Sequence, residues 1–304
     1  MIKIIDTQFN FLGAIDDYEE LTFTRKYIKT GNFHLWLNPK NEHADKLLNN
    51  NIIYIDEKRA GVILYRHIYI TEDGKEVLEI RGQTLDYYLS KRLILPPANE
   101  SHSIKTGNIE TIMKSYVNDC LINTSQERII EQIQLAPNLN RGNQGKYSIR
   151  YKNLLDTLTE IGEYEGIGFE VTLDLDNHKF IFDIVEGKDL TVNQTLNSPV
   201  TFSTEFDNIK GQSYIENLLE WQNVGYVAGQ GEGVDRVVRI VGENEGLERN
   251  EVFIDARDLE DEDDLIERGK QRLKEMDKIT SFETRINDSS SFIFEKDWNL
   301  GDIV

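Results

Sequence analysis

Several short segments of this chain place apolar side chains at every second position, and this period of two constrains its fold more than any other feature. Between Phe33 and Leu37, the residues Phe33, Leu35 and Leu37 alternate with His34 and Trp36. Successive side chains of a strand point to opposite faces of a sheet, so the spacing predicts a strand with one buried face. Further strands are predicted at Ile2 to Ile5, Leu21 to Phe23, Ile52 to Ile55, Gly61 to Ile70 and Val77 to Arg81, with turns at Thr30-Gly31 and Asp73-Gly74. The helical segments predicted among them are brief, Ala44 to Leu48 and Leu85 to Lys91, which favours a small sandwich or barrel.

The sequence Pro96-Pro97-Ala98-Asn99 is the clearest break in this pattern. Neither proline can donate a hydrogen bond to a strand or lie inside a helix, so a module boundary is predicted there. We expect an α+β, β-rich protein of three modules: a β-barrel over 1–95, an α+β module over 96–200, and a second β-barrel with one long helix over 201–304.

The middle module is predicted to contain two amphipathic helices. The first follows from the helical spacing of Ile109, Ile112, Met113, Tyr116, Val117, Cys120 and Leu121, with Asn108 placed to cap it. The second follows from Tyr151, Leu154, Leu155, Leu158 and Ile161 and is predicted to end near Gly162. A strand pair follows, Gly168 to Leu173 and Lys179 to Val185, turning at Asp176-Asn177.

The last module is predicted to return to strands. They are expected at Thr201 to Glu205, Leu218 to Trp221, Asn223 to Ala228, Arg236 to Val241, Glu251 to Ile254, Ser281 to Ile286 and Phe292 to Glu295. One helix interrupts them, from about Leu259 to Met276, and its acidic first turn suits the helix dipole. The residues from Trp298 to Val304 look like a turn feeding a further strand. A longer gene product or another subunit is therefore expected to complete this sheet.

Composition excludes several classes of protein. The single cysteine, Cys120, leaves no disulfide framework and no multi-thiolate metal site, and its place on an apolar helix stripe predicts a buried thiol. No apolar run approaches the roughly 20 residues that span a bilayer, so we expect a soluble protein made in the cytoplasm, without stable membrane insertion. The net charge of -20 argues against specific nucleic-acid binding. Plain solubility and a surface that DNA slides past are both consistent with that charge.

Four motifs resemble ligand-binding or catalytic motifs, but each has a simpler structural interpretation. Gly229 to Gly233 is followed by a predicted strand rather than a helix, so we expect a hairpin loop and not a phosphate site. Asp174 to His178 begins like a calcium loop but lacks its glycine and its final Glu, and the acidic run Glu260 to Asp264 is expected to favour a helix start. The five histidines, His34, His43, His67, His102 and His178, lack metalloprotease spacing. No catalytic, cofactor-binding or metal-binding residue and no cofactor is predicted, although a chance carboxylate pair stays open.

Two groups of residues resemble those of a known protein family. The first comprises Asp16 to Tyr18, Arg25 to Phe33, Ala60 to Ile63, Arg81 to Leu85 and Leu89 to Ile94. The second comprises Asn223 to Gly229, Asp235-Arg236, Gly246 to Arg249, Glu251 to Arg257, Arg268-Gly269 and Trp298 to Val304. In order and spacing they resemble the siphophage tail proteins that include the Gp37-like and prophage tail-hub groups, related in fold to the baseplate hub of contractile-tailed phages. The region from about Asn99 to Asn208 matches least.

This resemblance implies a structural protein of the virion tail tip. It implies a homotrimer in which each subunit gives two related β-barrels to a ring, so that three subunits imitate the sixfold tail tube above and let DNA pass. The implied partners are the distal tail protein, the tail tube, the tape-measure protein and receptor-binding or fibre proteins. Relatives continue beyond the Leu300-Gly301-Asp302-Ile303-Val304 motif with more barrel strands.

Two alternatives come from other classes of protein. A tail-associated peptidoglycan hydrolase would need a cleft with a perturbed carboxylate or a Cys/His pair. A carbohydrate-binding receptor module would present clustered exposed aromatic side chains, whereas Trp36, Trp221 and Trp298 are widely spaced in the sequence. A non-enzymatic role is the expectation.

Overall fold

A computed structural model describes residues 1–287 and 291–304, and the chain divides into two compact units. The first unit comprises Met1–Lys188 with Leu300–Ile303, and the second comprises Asp189–Asn299 with Val304. The predicted break at Pro96 lies inside the first unit. The division into three modules stays a prediction.

A seven-stranded antiparallel sheet dominates the first unit. Its strands are β1 (Ile2–Ile5), β2 (Phe11–Ile15), β3 (Glu20–Thr24), β4 (Asn32–Leu37), β5 (Ile52–Tyr54), β6 (Ala60–Ile70) and β7 (Glu76–Thr84), and their order is β2-β1-β5-β6-β7-β4-β3. Phe33, Leu35 and Leu37 are buried, which confirms the predicted face of β4. The brief helical segments are 3-10 turns at Ala44–Lys46 and Leu85–Lys91.

The predicted closed barrel is wrong for the described residues. The strand order of this sheet ends in β2 on one side and in β3 on the other, and these two strands do not pair. An open sheet packed on one face and a small barrel both bury alternate side chains, so alternation cannot distinguish them. Closure depends on the pairing of the two end strands.

The rest of the first unit is α+β, as predicted. It contains β8 (Leu93–Ile94), β9 (Ser103–Asn108), α1 (Ile109–Val117), β10 (Ile133–Leu135), β11 (Gln144–Ile149), β12 (Lys152–Asn153), α2 (Leu154–Glu165), β13 (Gly168–Asp174) and β14 (Lys179–Val185). A π-helical turn, Asn118–Ile122, extends α1 and carries the last part of its apolar stripe. These strands form one three-stranded sheet, β10-β14-β13, and two pairs, β11-β9 and β12-β8.

Two details of the helices differ from the sequence predictions. The Asn108 side chain does not cap α1; its Nδ2 donates to the Gly142 carbonyl at 3.4 Å. Helix α2 continues past Gly162 to Glu165 and ends at Gly166, which has a left-handed conformation. Gly162 is a point of close packing, because a Cβ there would lie 2.7 Å from the Ile167 carbonyl oxygen.

One apolar core spans the sequence on both sides of Pro96. Ile5, Ile52 and Leu89 belong to the same buried cluster as Tyr116 and Phe182. A second cluster lies within the large sheet and includes Ile4, Phe33, Leu35 and Ile80. The first unit therefore folds around contacts that join the predicted first and middle modules.

The second unit contains fewer elements and a small core. Its elements are β15 (Ile209–Asn217), β16 (Val224–Ala228), β17 (Val238–Val241), β18 (Glu251–Asp255), α3 (Glu262–Glu275) and β19 (Ile279–Ile286). Three strands form the sheet β17-β16-β18, in which β16 pairs antiparallel with β17 and parallel with β18. Helix α3 packs on this sheet, and the core is formed by Val227, Ile254, Ala256, Leu259 and Leu265.

Several strand predictions in this unit are wrong. Thr201 to Glu205 and Leu218 to Trp221 are not strands, and β15 lies between them. Phe292 to Glu295 makes only an isolated bridge, between Phe294 and Trp298. No closed barrel is formed by the described residues of this unit either. The missed strand β15 is mostly polar and exposed, so it lacks the buried apolar face that the predictions depended on.

Candidate interaction surfaces

Strands β15 and β19 form a two-stranded antiparallel ribbon, called here the exposed ribbon. Ile209 pairs with Ile286 at one end, Tyr214 with Phe282 in the middle and Asn217 with Ile279 at the other end. Neither strand pairs with a third strand among the described residues. Both outer edges of the ribbon therefore present backbone groups of the kind that pair with another strand.

The exposed ribbon also presents apolar side chains to solvent. Tyr214 is 63% exposed and Phe282 is 56% exposed, and they form a cross-strand pair on one face. Ile215 and Ile279 are exposed as well. An isolated two-stranded ribbon is marginally stable in water, and further strands or a packed face are usually needed. The exposed ribbon is therefore a candidate interaction surface.

A second unpaired edge lies on the long hairpin of β6 and β7. Strand β5 pairs with β6 only from Ala60 to Val62, whereas β7 pairs with it as far as Ile70. The distal half of β6 is therefore an edge within the described part of the chain. Tyr65, Ile68 and Ile70 are exposed there.

The outer face of this hairpin and of β4 holds a cluster of aromatic and charged side chains. This outer-face cluster comprises His34, Trp36, Tyr65, His67, Tyr69, Glu79 and Arg81. Arg81 donates to Glu79 Oε1 at 2.6 Å, and His34 Nε2 lies 2.6 Å from the same oxygen. Burial opposes ionisation of Glu79, but the hydrogen bonds from Arg81 and His34 outweigh it and lower the pKa of this carboxyl. The charge of the Glu79 carboxylate is therefore balanced within the cluster by Arg81.

Three of the four motifs considered in the sequence have structural roles. Gly229 to Gly233 lies in the connection between the antiparallel strands β16 and β17, as predicted. Asp174 accepts a hydrogen bond from the Asn177 amide in the β13–β14 turn. Asp261 caps α3 by accepting from the Asp263 and Asp264 amides. Within residues 1–287 and 291–304, no three His, Cys, Asp or Glu side chains are grouped to hold a metal ion.

Cys120 is buried, as its place on the helix stripe predicted. Burial raises the pKa of its thiol to about 11, so the reactive thiolate is scarce at neutral pH. Its sulfur lies 3.7 Å from the Leu93 carbonyl oxygen. Cys120 therefore behaves as a small core residue and not as a nucleophile.

The sequence did not point to the most buried charge of the first unit, the carboxylate of Glu110. Its side chain is 0% exposed and accepts from Lys114 Nζ at 2.7 Å and from Arg141 Nη2 at 2.8 Å. The backbone amides of Leu139 and Arg141 donate to its other oxygen. Lys114 also donates to the carbonyls of Ala136 and Pro137 and to Asp183. This buried ionic network holds the segment before β11 against α1.

Another buried carboxyl, that of Asp86, lies in the 3-10 turn that follows β7. Its Oδ2 accepts from the Thr84 hydroxyl at 2.8 Å, and the Thr84 oxygen accepts in turn from the Gly31 amide at 2.9 Å. Burial raises the pKa of Asp86 to about 7, and the nearby negative charge of Glu170 adds to this shift. Perturbed carboxyls are common in active sites, but the Asp86 carboxyl is buried and its bond to Thr84 links the turn to the Gly31 backbone, which is a structural role.

Comparisons with known proteins identify one family. The family model described as "Siphovirus ReqiPepy6 Gp37-like protein" matches residues 1–304. No curated protein matches the chain. The 43 kDa tail protein of prophage MuSo2 from Shewanella oneidensis is similar in structure, with a TM-score of 0.51 and 10% identity, over 90% of this chain and 78% of that one. The tail protein of Neisseria meningitidis MC58 has a TM-score of 0.47 and 14% identity, over 88% of this chain and 74% of that one.

No helix among the described residues is both long enough and apolar enough to cross a membrane.

Proposed function

The chain belongs to the family of Siphovirus ReqiPepy6 Gp37-like proteins, and from this premise we propose that it is a baseplate hub at the tail tip. Its role as a structural phage tail protein follows from the family and agrees with the tail-protein fold. In the proposed hub, three copies form a ring that continues the tail tube and lets DNA pass during ejection. The distal tail protein, tape-measure protein and receptor-binding or fibre proteins are its proposed neighbours.

The exposed ribbon is the observation that supports assembly into a ring. Each of its edges is unpaired among the described residues, and a strand from a neighbouring copy would extend the sheet by main-chain hydrogen bonds. If one edge binds the opposite edge of the next copy, the contact is head-to-tail, and it gives a closed ring when the rotation between copies closes after three subunits. The barrels implied by the family resemblance would then be completed between subunits, since the sheets of one described chain are open.

The charge of the chain constrains this assembly. At -20 per subunit, three copies repel one another, and their unpaired carboxylates must face water or line the opening. An opening poor in Lys and Arg binds DNA weakly, which suits passage. Salt screens the repulsion between subunits, so association is expected to strengthen as ionic strength rises.

We predict that replacing both Tyr214 and Phe282 by serine weakens this association. The substitutions remove the exposed apolar pair of the ribbon and leave the apolar core of the second unit intact. Analytical ultracentrifugation across a salt series measures the effect, and the double variant should remain monomeric at salt concentrations where the parent forms trimers. Leu247→Ser is the matched control, because Leu247 is fully exposed outside the ribbon. A stable two-fold dimer of the parent, or unchanged assembly of the double variant, would contradict the proposal.

The outer-face cluster favours a second candidate, a carbohydrate-binding receptor module. Trp36 lies beside His34, and the Tyr69 and His67 rings have centroids 4.9 Å apart, so aromatic side chains are grouped on this face. Such grouping was not visible in the sequence, where the tryptophans are far apart. Exposed aromatic patches often mark binding sites.

One experiment separates the hub from both alternatives. Incubated with purified cell walls, the protein is expected neither to clear the suspension, with or without divalent metal, nor to sediment in a way that depends on Trp36. Clearing that disappears on changing one carboxylate would establish a hydrolase. Sedimentation with the walls that is lost in Trp36→Ala would establish the receptor module.

A further inference from the structure

Residues from both groups that carry the family resemblance lie together in the first unit. Tyr27 belongs to its N-terminal group of residues, and Gly301 and Asp302 belong to its closing motif. In the fold, the Tyr27 ring packs so closely against Gly301 that there is no room for a Cβ on the glycine. Gly301 also has a φ of +93°, a conformation that L side chains rarely adopt.

The Tyr27 hydroxyl binds the chain just after β14. It donates to the Val185 carbonyl at 3.0 Å and accepts from the Gly187 amide at 3.0 Å. Gly168, at the start of β13, also packs against this ring, because a Cβ there would collide with it. The backbone carbonyl of Tyr27 accepts from the Phe169 amide at 3.2 Å. Tyr27 is therefore fixed to the β13–β14 sheet through both its backbone and its side chain.

The closing motif binds the same stretch of chain. Asp302 Oδ1 accepts from the Lys188 amide at 2.8 Å, and the Ile303 amide donates to the Lys188 carbonyl at 2.8 Å. Gly187 packs directly on the Gly301 carbonyl, so there is no room for a Cβ on Gly187 either. Gly187 thus touches both the tyrosine and the closing motif.

These contacts lie where the chain leaves the first unit and where it re-enters it. The chain leaves the first unit after Lys188 and returns to it at Leu300, so the second unit is inserted between two segments of the first. We propose that Tyr27, Gly187, Gly301 and Asp302 form a clasp that holds the point of exit to the point of return and opens as a single cooperative element. When the clasp is closed, the two chain segments that lead to and from the second unit are held together within the first unit. The proposal does not depend on the hub function.

Hydrogen exchange at single amides tests the clasp. In Tyr27→Phe the Gly187 amide loses its acceptor, and exchange there should accelerate about tenfold, as expected for the loss of one hydrogen bond. If the clasp is cooperative, the Lys188 and Ile303 amides should accelerate as well, although neither bonds to Tyr27. Asp302→Ala should have the reciprocal effect on Gly187.

Two comparisons make the result specific. Amides of β4 and β7 serve as an internal reference and should be unchanged. Gly301→Ala should open the clasp, whereas Gly74→Ala should not, because Gly74 has a similar φ of +82° but nothing within 4 Å of the added Cβ. Unchanged exchange at Lys188 and Ile303 in Tyr27→Phe would overturn the proposal. Equal acceleration throughout the first unit would also overturn it, since the contacts would then unfold only with the whole unit.

Discussion

Replacing Glu110 by alanine is expected to reduce the free energy of unfolding of the first unit by about 3 to 5 kcal/mol. The substitution leaves the ammonium of Lys114, which is 5% exposed, and the guanidinium of Arg141 with Asp183 as their remaining carboxylate partner. It also removes the acceptor of the Leu139 and Arg141 amides. Breaking one side of a buried ionic network is costly because the other charges stay buried.

Urea denaturation followed by far-ultraviolet circular dichroism measures this loss. Glu163→Ala is the matched control, because Glu163 forms a solvent-exposed ion pair with Lys29 at 2.6 Å. Exposed pairs contribute about 0 to 1 kcal/mol, so the control should unfold almost as the parent does. Equal stability of the two variants would show that the Glu110 network contributes nothing beyond a surface pair.

The same network predicts the behaviour of the protein in acid. Burial alone would raise the pKa of Glu110, but hydrogen bonds from Arg141 and Lys114 outweigh it and hold the pKa at about 2, below the ordinary 4.5. A carboxyl with a depressed pKa stabilises the fold fully above its unfolded value. This stabilisation is lost as the pH falls from about 4.5 towards 2, and Glu110→Gln should lack that part of the pH dependence.

Nothing in the sequence marked Glu110 as buried. Lys114 follows it at i+4, which is the spacing of an ordinary exposed helix pair. Its other partners, Arg141 and the Leu139 amide, follow it by about 30 residues in the sequence. Asp183, which pairs with Lys114 and Arg141, comes from β14. Charge burial depends on contacts between distant residues, which a local pattern does not contain.

The elements that were predicted correctly have strong local signals. Strands β13 and β14 alternate along their whole length and join through a short turn, so both their extent and their pairing follow from the sequence. The stripe of α1 was equally clear. The parallel partner of β14, strand β10, was missed because three residues give too little periodicity.

The candidate interaction surfaces were the least predictable features. Strand β15 lacks a buried apolar face in the chain alone, since only Ile209 is buried along it. Its pairing with β19 joins residues separated by the whole of the three-stranded sheet and α3. If the proposed ring is correct, the buried face that would have revealed this strand exists only in the assembly.

Asp86 should limit stability on the alkaline side. Its pKa is raised by burial to about 7, from an ordinary value of 3.8, so the folded protein keeps a proton that the unfolded chain releases. The free energy of unfolding therefore falls as the pH rises from about 4 to about 7. By linkage the loss reaches on the order of 4 kcal/mol above that range. With Glu110 acting at lower pH, the first unit should be most stable in mildly acidic solution.

Asp86→Asn is accordingly expected to stabilise the protein at pH 8.5, by up to about 4 kcal/mol, and to change its stability little at pH 5. An amide matches the shape of the protonated carboxyl and can donate to the Thr84 hydroxyl oxygen, which leaves that hydroxyl free to donate to the Gly31 carbonyl. Urea denaturation of parent and variant at the two pH values measures the difference. Asp174→Asn is the matched control: the pKa of this exposed turn residue is lowered by its hydrogen bonds to Asn177, so the same substitution should not stabilise. If Asp86→Asn destabilises the protein equally at both pH values, the carboxyl is ionised in the fold and its pKa is not raised.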